Sequence, residues 1–316
     1  MKTLLVSDLH LDDKSENQYR WNIIGQIEDI IKENSIDRLL ILGDLTDKKN
    51  RHDAKFVNEL LYQLSNLEKL CSVTLLIGNH DYIDQDCPFF SFMDNVYYRE
   101  PFSKEVDGIN ELYLPHVKDT SIYHDIDVSK YDVCFTHLDV KGYVKENNNI
   151  KSMTGLPLSF FKGILTFSGH IHVGQQLGKN FNYIGSPYSI IYEREDVLHR
   201  GIILEYNKGN ITFKDVYFEF PRKINKKVKN LKDIEKFKSD GNFYKFQVDI
   251  DSNQIGDYNK ISKDLQDKDD VKIVSNVITK EKVKLNNKDF FKSFCKEHKL
   301  SSELIESGIK IIGELK

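Results

Sequence analysis

The feature that most constrains this chain is a series of five short motifs, each placed where an apolar, β-rich run ends. Asp8-Leu9-His10 follows residues 3–7 (TLLVS), and Gly43-Asp44-Leu45-Thr46-Asp47 follows 38–42 (RLLIL). Gly78-Asn79-His80-Asp81 follows 73–77 (VTLLI), Thr136-His137 closes the run 133–136, and Gly169-His170-Ile171-His172 follows 165–168 (LTFS). Side chains two apart on an extended chain point the same way, so each D-x-H or H-x-H pair shares a face. Singly, each motif has a bland explanation: a surface D-x-H, a hydrogen-bonded core histidine at position 137, a loop with a helix cap. Jointly they place five of the chain's ten histidines at strand ends, where open α/β sheets carry their ligands. That convergence points to a metal site.

The intervening sequence supports a layered α/β domain. Residues 18–34 and 53–67 carry apolar side chains near helical spacing between the first three runs, a β-α-β-α-β start. From residue 112 helices thin out, and short strands are predicted at 111–114, 133–136, 165–168, 182–184, 201–205 and 211–216, suited to a second sheet packed on the first. Composition changes near Pro221, where Arg222-Lys223-Ile224-Asn225-Lys226-Lys227 reads as a basic linker. Beyond it, 243–250 and 271–277 alternate like strands around a helical stretch at 258–265, and 288–298 and 301–315 look helical. The expected division is therefore a domain at 1–221, a small α+β cap at 222–286 and a helical tail at 287–316.

Bulk properties narrow the setting. No apolar run reaches the ~20 residues of a membrane span, and the N-terminal apolar stretch meets Asp8 too early for a signal peptide. The four cysteines are widely spaced without a C-x-x-C pair, as expected of free thiols in a reducing cytoplasm. Net charge is −4, but 222–316 holds 22 Lys/Arg against 16 Asp/Glu, while 1–221 holds 23 against 33. Bound divalent cations would offset part of the acidic excess of the body. The basic C-terminal third could meet phosphates or simply be solvated.

In its ordered series D-x-H, G-D-x-x-D, G-N-H-D, H and G-H-x-H, the chain resembles the calcineurin-like metallophosphoesterases over about residues 3–220. The resemblance implies a four-layer αββα sandwich that hydrolyses phosphoesters with two divalent ions. One ion would be held by Asp8, His10, Asp44 and His172, the other by Asp44, Asn79, His137 and His170, with Asp44 bridging. Mixed carboxylate, amide and imidazole donors suit manganese, iron or zinc better than calcium; manganese is the first expectation, with iron, zinc and magnesium as alternatives. His80 would face the scissile phosphate as a catalytic residue. Asp81 either orients His80 or caps its loop.

Substrate is a separate question, since such motifs serve phosphatases, small-molecule phosphodiesterases and nucleases alike. Tyr183-Ile184-Gly185-Ser186-Pro187-Tyr188 resembles the Y-x-G-S-P stretch of SbcD-type nuclease subunits, and the motif-bearing runs look most like phage versions of them. That resemblance implies a manganese-dependent DNA exonuclease with single-strand endonuclease activity, serving repair or recombination in the cytoplasm, that of the host if phage-encoded. It further implies an SbcC-type ATPase partner engaged by the tail, and a homodimer. Asp47 and Tyr188 are the expected substrate-binding residues, although strand packing would explain Tyr188 equally well. Some SbcD-type relatives carry His where this chain has Asp47, so Asp47 cannot take over a phosphate-contacting imidazole's role. Pro88, Phe89, Phe90 and Phe92 could stack bases or pack under their loop.

Overall fold

The computed structural model describes residues 1–49, 51–84, 87, 88, 96, 97, 100–145, 150–235, 237–251, 254–265, 270–277, 291, 295, 301 and 304–306. The chain divides into two compact units: Met1–Lys226 with Ser239–Lys245, and Lys227–Lys238 with Phe246–Lys316. The predicted tail at 287–316 and the side chains of 88–92 lie almost wholly outside the described residues.

In the first unit, β1 (Lys2–Val6), α1 (Asn22–Asn34), β2 (Arg38–Leu42), α2 (Ala54–Glu68) and β3 (Ser72–Leu76) follow the predicted β-α-β-α-β order. β1, β2 and β3 are parallel neighbours in register, Leu4 beside Leu39 and Leu39 beside Val73. Alternation along these strands sorts the core into layers. Leu4, Val6, Leu39, Ile41, Val73 and Leu75 pack against Ile23, Ile27 and Ile31 of α1 and Phe56, Leu60 and Leu64 of α2. The intervening Leu5, Leu40, Leu42 and Leu76 turn to the other face, where they meet Tyr113, Phe135 and Phe167 of a second sheet. Truncating any of these fully buried leucines to alanine would cost about 2–5 kcal/mol.

The second sheet runs in the order Gln175–Leu177, Phe181–Tyr183, Leu165–Ser168, Val133–Thr136, Ile109–Leu114, Phe102–Val106, and its four central strands are parallel. Its outer face buries Leu112, Cys134, Phe181 and Tyr183 under Tyr123 and Phe161. The result is the four-layer sandwich, with two differences from expectation. Among the described residues, the layer over the second sheet is made of 3-10 turns at Thr120–Tyr123, Val128–Lys130 and Leu158–Phe161 rather than α-helices. The strands Gly201–Asn207 and Asn210–Val216 join the first sheet beside β1, not the second. The cause is visible in their side chains. Ile203 packs into the helix-side core while Ile202 and Leu204 face the other sheet, and Lys208 (φ 51°) and Gly209 (φ 80°) form the left-handed pair of a tight hairpin.

The second unit takes in the helices Leu231–Glu235 and Ile255–Asp264 and most of a three-stranded sheet ordered Lys223–Val228, Phe243–Ile250, Val271–Val277. Strict alternation puts Tyr244, Phe246, Val248 and Ile250 on one buried face. No described helix is long and apolar enough to cross a membrane.

Candidate metal centre

All five motifs sit at the carboxyl ends of parallel strands from both sheets, so the sandwich edge gathers them into one place. Asp8 follows β1, Asp44 follows β2 and Asn79 follows β3, while His137 and His170 follow Val133–Thr136 and Leu165–Ser168. The turns are sharp. Asp8, His10, Asp44 and His170 all have positive φ (54°, 42°, 52° and 83°), which non-glycine residues adopt at a cost. Two glycines make the crowding possible. A Cβ on Gly43 (φ +85°) would lie 2.2 Å from His137 Nδ1, and one on Gly78 would lie 2.3 Å from Asp44 Oδ1.

The buried carboxylate of Asp44 stands at the centre with its two oxygens facing opposite ways. Oδ2 is 3.5 Å from His10 Nε2, and Oδ1 is 3.4 Å from His137 Nε2. On the first side, His10 Nε2 lies 3.1 Å from His172 Nε2, and His172 Nε2 lies 4.0 Å from Asp8 Oδ1. On the second, Asn79 Oδ1 lies 2.7 Å from His170 Nδ1 and 3.2 Å from His137 Nε2. The seven residues expected as ligands therefore come together as two donor groups sharing Asp44. The donor atoms of Asp8, His10 and His172 could hold one ion, as could those of Asp8, Asp44 and His137. The donor set fits a cation pair: two imidazole nitrogens facing each other at 3.1 Å, beside three buried acids, want positive charge between them.

Without an ion, burial and neighbouring charge pull the protonation of the cluster apart. Burial opposes ionisation of Asp44, but His137, His10 and His80 around it outweigh that and hold its carboxyl well below the usual range. Burial likewise disfavours charge on His137, yet the Asp44 carboxylate lifts it to about 9. His10 is lowered, chiefly by burial. Buried Asp81 is pushed up to about 7 by desolvation and by the Asp44 charge.

The remaining expected residues resolve differently. His80 stands at the rim, its backbone N–H donating to Asp44 Oδ1 (2.8 Å) and its ring edge-on to His10. Its Nδ1 lies 2.6 Å from the Asp47 carbonyl oxygen, not against Asp81. Asp81 instead accepts from the backbone N–H groups of Asp44 (2.7 Å), Gly78 (3.0 Å) and Thr46 (3.2 Å). It braces the loops that carry Asp44 and Asn79, which is the loop-holding role of the two expected for it. The Asp47 carboxylate lies 3.3 Å from His10 Nδ1 and is lowered to about 2, chiefly by that imidazole; it faces a ligand ring. Tyr188 takes the packing role: it is fully buried, lies edge-on to Phe220 and donates its hydroxyl to the Leu9 carbonyl.

Sequence reasoning missed three contributors. His116, at the end of Ile109–Leu114, stacks on His170 with ring centroids 5.9 Å apart. Asp139 lies 3.2 Å from His170 Nε2. Arg20 donates to the His10 carbonyl at 2.8 Å. Asp139, two residues after His137, carried a faint H-x-D signal; the other two carried none, because their partners are distant in sequence.

Among solved structures, the fold is similar over part of its length to an archaeal phosphodiesterase, at 13 % identity and TM-score 0.37, covering 68 % of this chain and all of that one. A dimetal phosphatase from Danio rerio shares 10 % identity at TM-score 0.47, over 68 % of this chain and 95 % of its own. The Pseudomonas putida nuclease MPE shares 14 % at TM-score 0.33, over 66 % and 85 %. These likenesses carry nothing about substrate. No curated protein sequence matches the chain. The family described as calcineurin-like phosphoesterase matches residues 1–174, which is over half of the 316 residues and contains all seven donor residues. The chain thus belongs to the calcineurin-like phosphoesterases, metal-dependent phosphoester hydrolases with a dinuclear divalent centre.

Proposed function

We propose that the chain is a manganese-dependent DNA nuclease of the SbcD type, with Asp8, His10, Asp44, Asn79, His137, His170 and His172 as its metal ligands. The observation that carries the hydrolytic part is the two-sided Asp44 carboxylate, which presents one oxygen to each donor group. A bound pair of divalent ions would supply activated water and neutralise charge growing on the phosphoryl oxygens. The chain's own residues would do the rest. His80, held by its backbone on Asp44 and by its Nδ1 on Asp47, would turn Nε2 to the phosphoester, stabilising developing charge or protonating the leaving oxygen. With Nδ1–H donated to the carbonyl, Nε2 is left unprotonated in the neutral ring, so this work calls for the imidazolium.

The choice of DNA is supported by the Tyr183–Tyr188 stretch and by the basic residues beyond Pro221. The tail would engage an SbcC-type ATPase and the protein would work as a homodimer in DNA repair or recombination, in a phage setting.

The test is digestion of 5′- and 3′-labelled duplex and single-stranded DNA with Mn²⁺, comparing the wild type with Asp44→Ala and His80→Ala. Cleavage should disappear in both, with Mn²⁺ binding retained only in His80→Ala. Hydrolysis of bis-nitrophenyl phosphate with no cleavage of any DNA would replace the nuclease reading by a small-molecule phosphodiesterase.

A further inference from the structure

Behind the two donor groups stand two further carboxylates, one for each group. His10 turns Nε2 to Asp44 and His172, and its other nitrogen, Nδ1, lies 3.3 Å from Asp47 Oδ1. His170 turns Nδ1 to Asn79, and its other nitrogen, Nε2, lies 3.2 Å from Asp139 Oδ1. An imidazole that gives one nitrogen to a cation carries its proton on the other. Both pairs stand at ion-pair distance; a carboxylate that accepts that proton's hydrogen bond when an ion is bound would fix the tautomer and ring rotation and raise the ring's basicity.

Both carboxylates are themselves held. Lys14 Nζ lies 3.8 Å from Asp47 Oδ2. The Thr154 hydroxyl donates to Asp139 Oδ2 at 3.0 Å, and the Leu156 N–H donates to the Asp139 carbonyl at 3.2 Å. Gly155 passes so close that a Cβ there would lie 2.0 Å from that carbonyl. His137, by contrast, has only the neutral Leu42 carbonyl behind its Nδ1, at 2.7 Å. Each donor group therefore contains a ring backed by a full charge.

We infer that Asp47 and Asp139 are positioning residues, each setting the affinity for a different ion: Asp47 through His10, and Asp139 through His170. The inference rests on the two-metal reading above. The Asp47 carbonyl that meets His80 survives any side-chain substitution, so replacing the carboxylate leaves that contact in place.

The experiment is Mn²⁺ titration of the full chain by calorimetry, with the exchange-coupled electron paramagnetic resonance signal of a manganese pair as a second readout. It compares the wild type with Asp47→Ala, Asp47→Asn, Asp139→Ala and Asp139→Asn. Each alanine variant should weaken one ion by about 10–100-fold and leave the other near its wild-type affinity. The coupled signal should give way to that of isolated Mn²⁺ at concentrations that saturate the wild type. The asparagine variants, which keep an oxygen acceptor, should recover most of the lost affinity. If Asp139→Ala does not fold, Thr154→Val removes only the hydroxyl behind Asp139 and should weaken the same ion a few-fold. Two ions bound with wild-type affinity by both alanine variants would overturn this inference alone, as would equal losses in the alanine and asparagine variants. No Mn²⁺ binding by the wild type would overturn it together with the two-metal reading.

Discussion

Strand β2 is five residues long and has a buried ionic cluster near each end. At its start, Arg38 meets Glu111 through two contacts of 2.8 and 2.5 Å, and its Nε donates to Thr3 Oγ1. Tyr113 and Tyr206 each donate a hydroxyl to the same carboxylate at 2.5 Å. Just past its end, Asp44 joins Asp8, Asp81 and the imidazoles. The first cluster is complete: one cation, one anion, and hydrogen bonds for the remaining lone pairs. Burial opposes ionisation of Glu111, but Arg38 prevails and holds its carboxyl low. The second has an excess of acid and pairs of acceptors facing one another. A buried charge cluster that closes on itself serves the fold, while one left open serves a ligand.

The contrast can be broken by substitution at either end. Asp44→Ala should produce the largest functional change, a loss of phosphoester hydrolysis of about 10³-fold or more, as several kcal/mol of charge stabilisation disappear. Its metal-free form should also melt lower than the wild type, since the buried His137 imidazolium loses the carboxylate that holds its proton. His80→Ala should lower kcat by about 10²–10⁴-fold while leaving Mn²⁺ affinity intact, which initial rates and calorimetry together would check. Arg38→Ala reverses the pattern. Leaving Glu111 buried without its partner should cost about 3–5 kcal/mol of stability by denaturant titration, with activity per folded molecule retained.

The two clusters also differ in their response to pH. In the metal-free protein Asp81 sits near 7, above its unfolded value, so the folded state holds a proton there that the unfolded chain has released. His137, near 9, does the same at higher pH. Stability contributed by these protons is present at low pH and lost as pH rises, through about 4–7 for Asp81 and about 6.5–9 for His137. Buried His116, lowered to about 3, and His10, also lowered, act in the opposite sense up to about pH 6.5, so the melting temperature of metal-free protein should fall chiefly between pH 6.5 and 9. Stabilisation by Mn²⁺ should grow over the same range, because ligands must shed protons to bind. The smallest contrast is a neutral buried group: Tyr188→Phe should cost about 1 kcal/mol, the worth of one hydroxyl hydrogen bond, and leave KM unchanged.

What could be read from sequence follows from how local each signal was. The seven donors were legible because each lies within a few residues of a strand end, where the motif and the geometry are one local fact. The layers were legible in β1–β3, whose continuous apolar runs are those of strands buried on both faces. The 3-10 turns over the second sheet and the placement of Gly201–Asn207 beside β1 were not, since only packing between distant segments decides them. Asp81 and Tyr188 show the same limit. Asp81 stands beside His80 and Tyr188 ends the Tyr183–Tyr188 stretch, but sequence left two roles open for each; backbone N–H groups in one case and the Leu9 carbonyl in the other claim their polar atoms. Asp139 reaches its partner across 31 residues through a fold that H-x-D spacing alone does not specify.

The most direct measurement is anomalous X-ray scattering from crystals grown with Mn²⁺. Two peaks roughly 3.5–4 Å apart on either side of the Asp44 carboxylate, one among Asp8, His10 and His172 and the other among Asn79, His137 and His170, are expected. A single peak, or none within reach of Asp44, would contradict the two-metal centre.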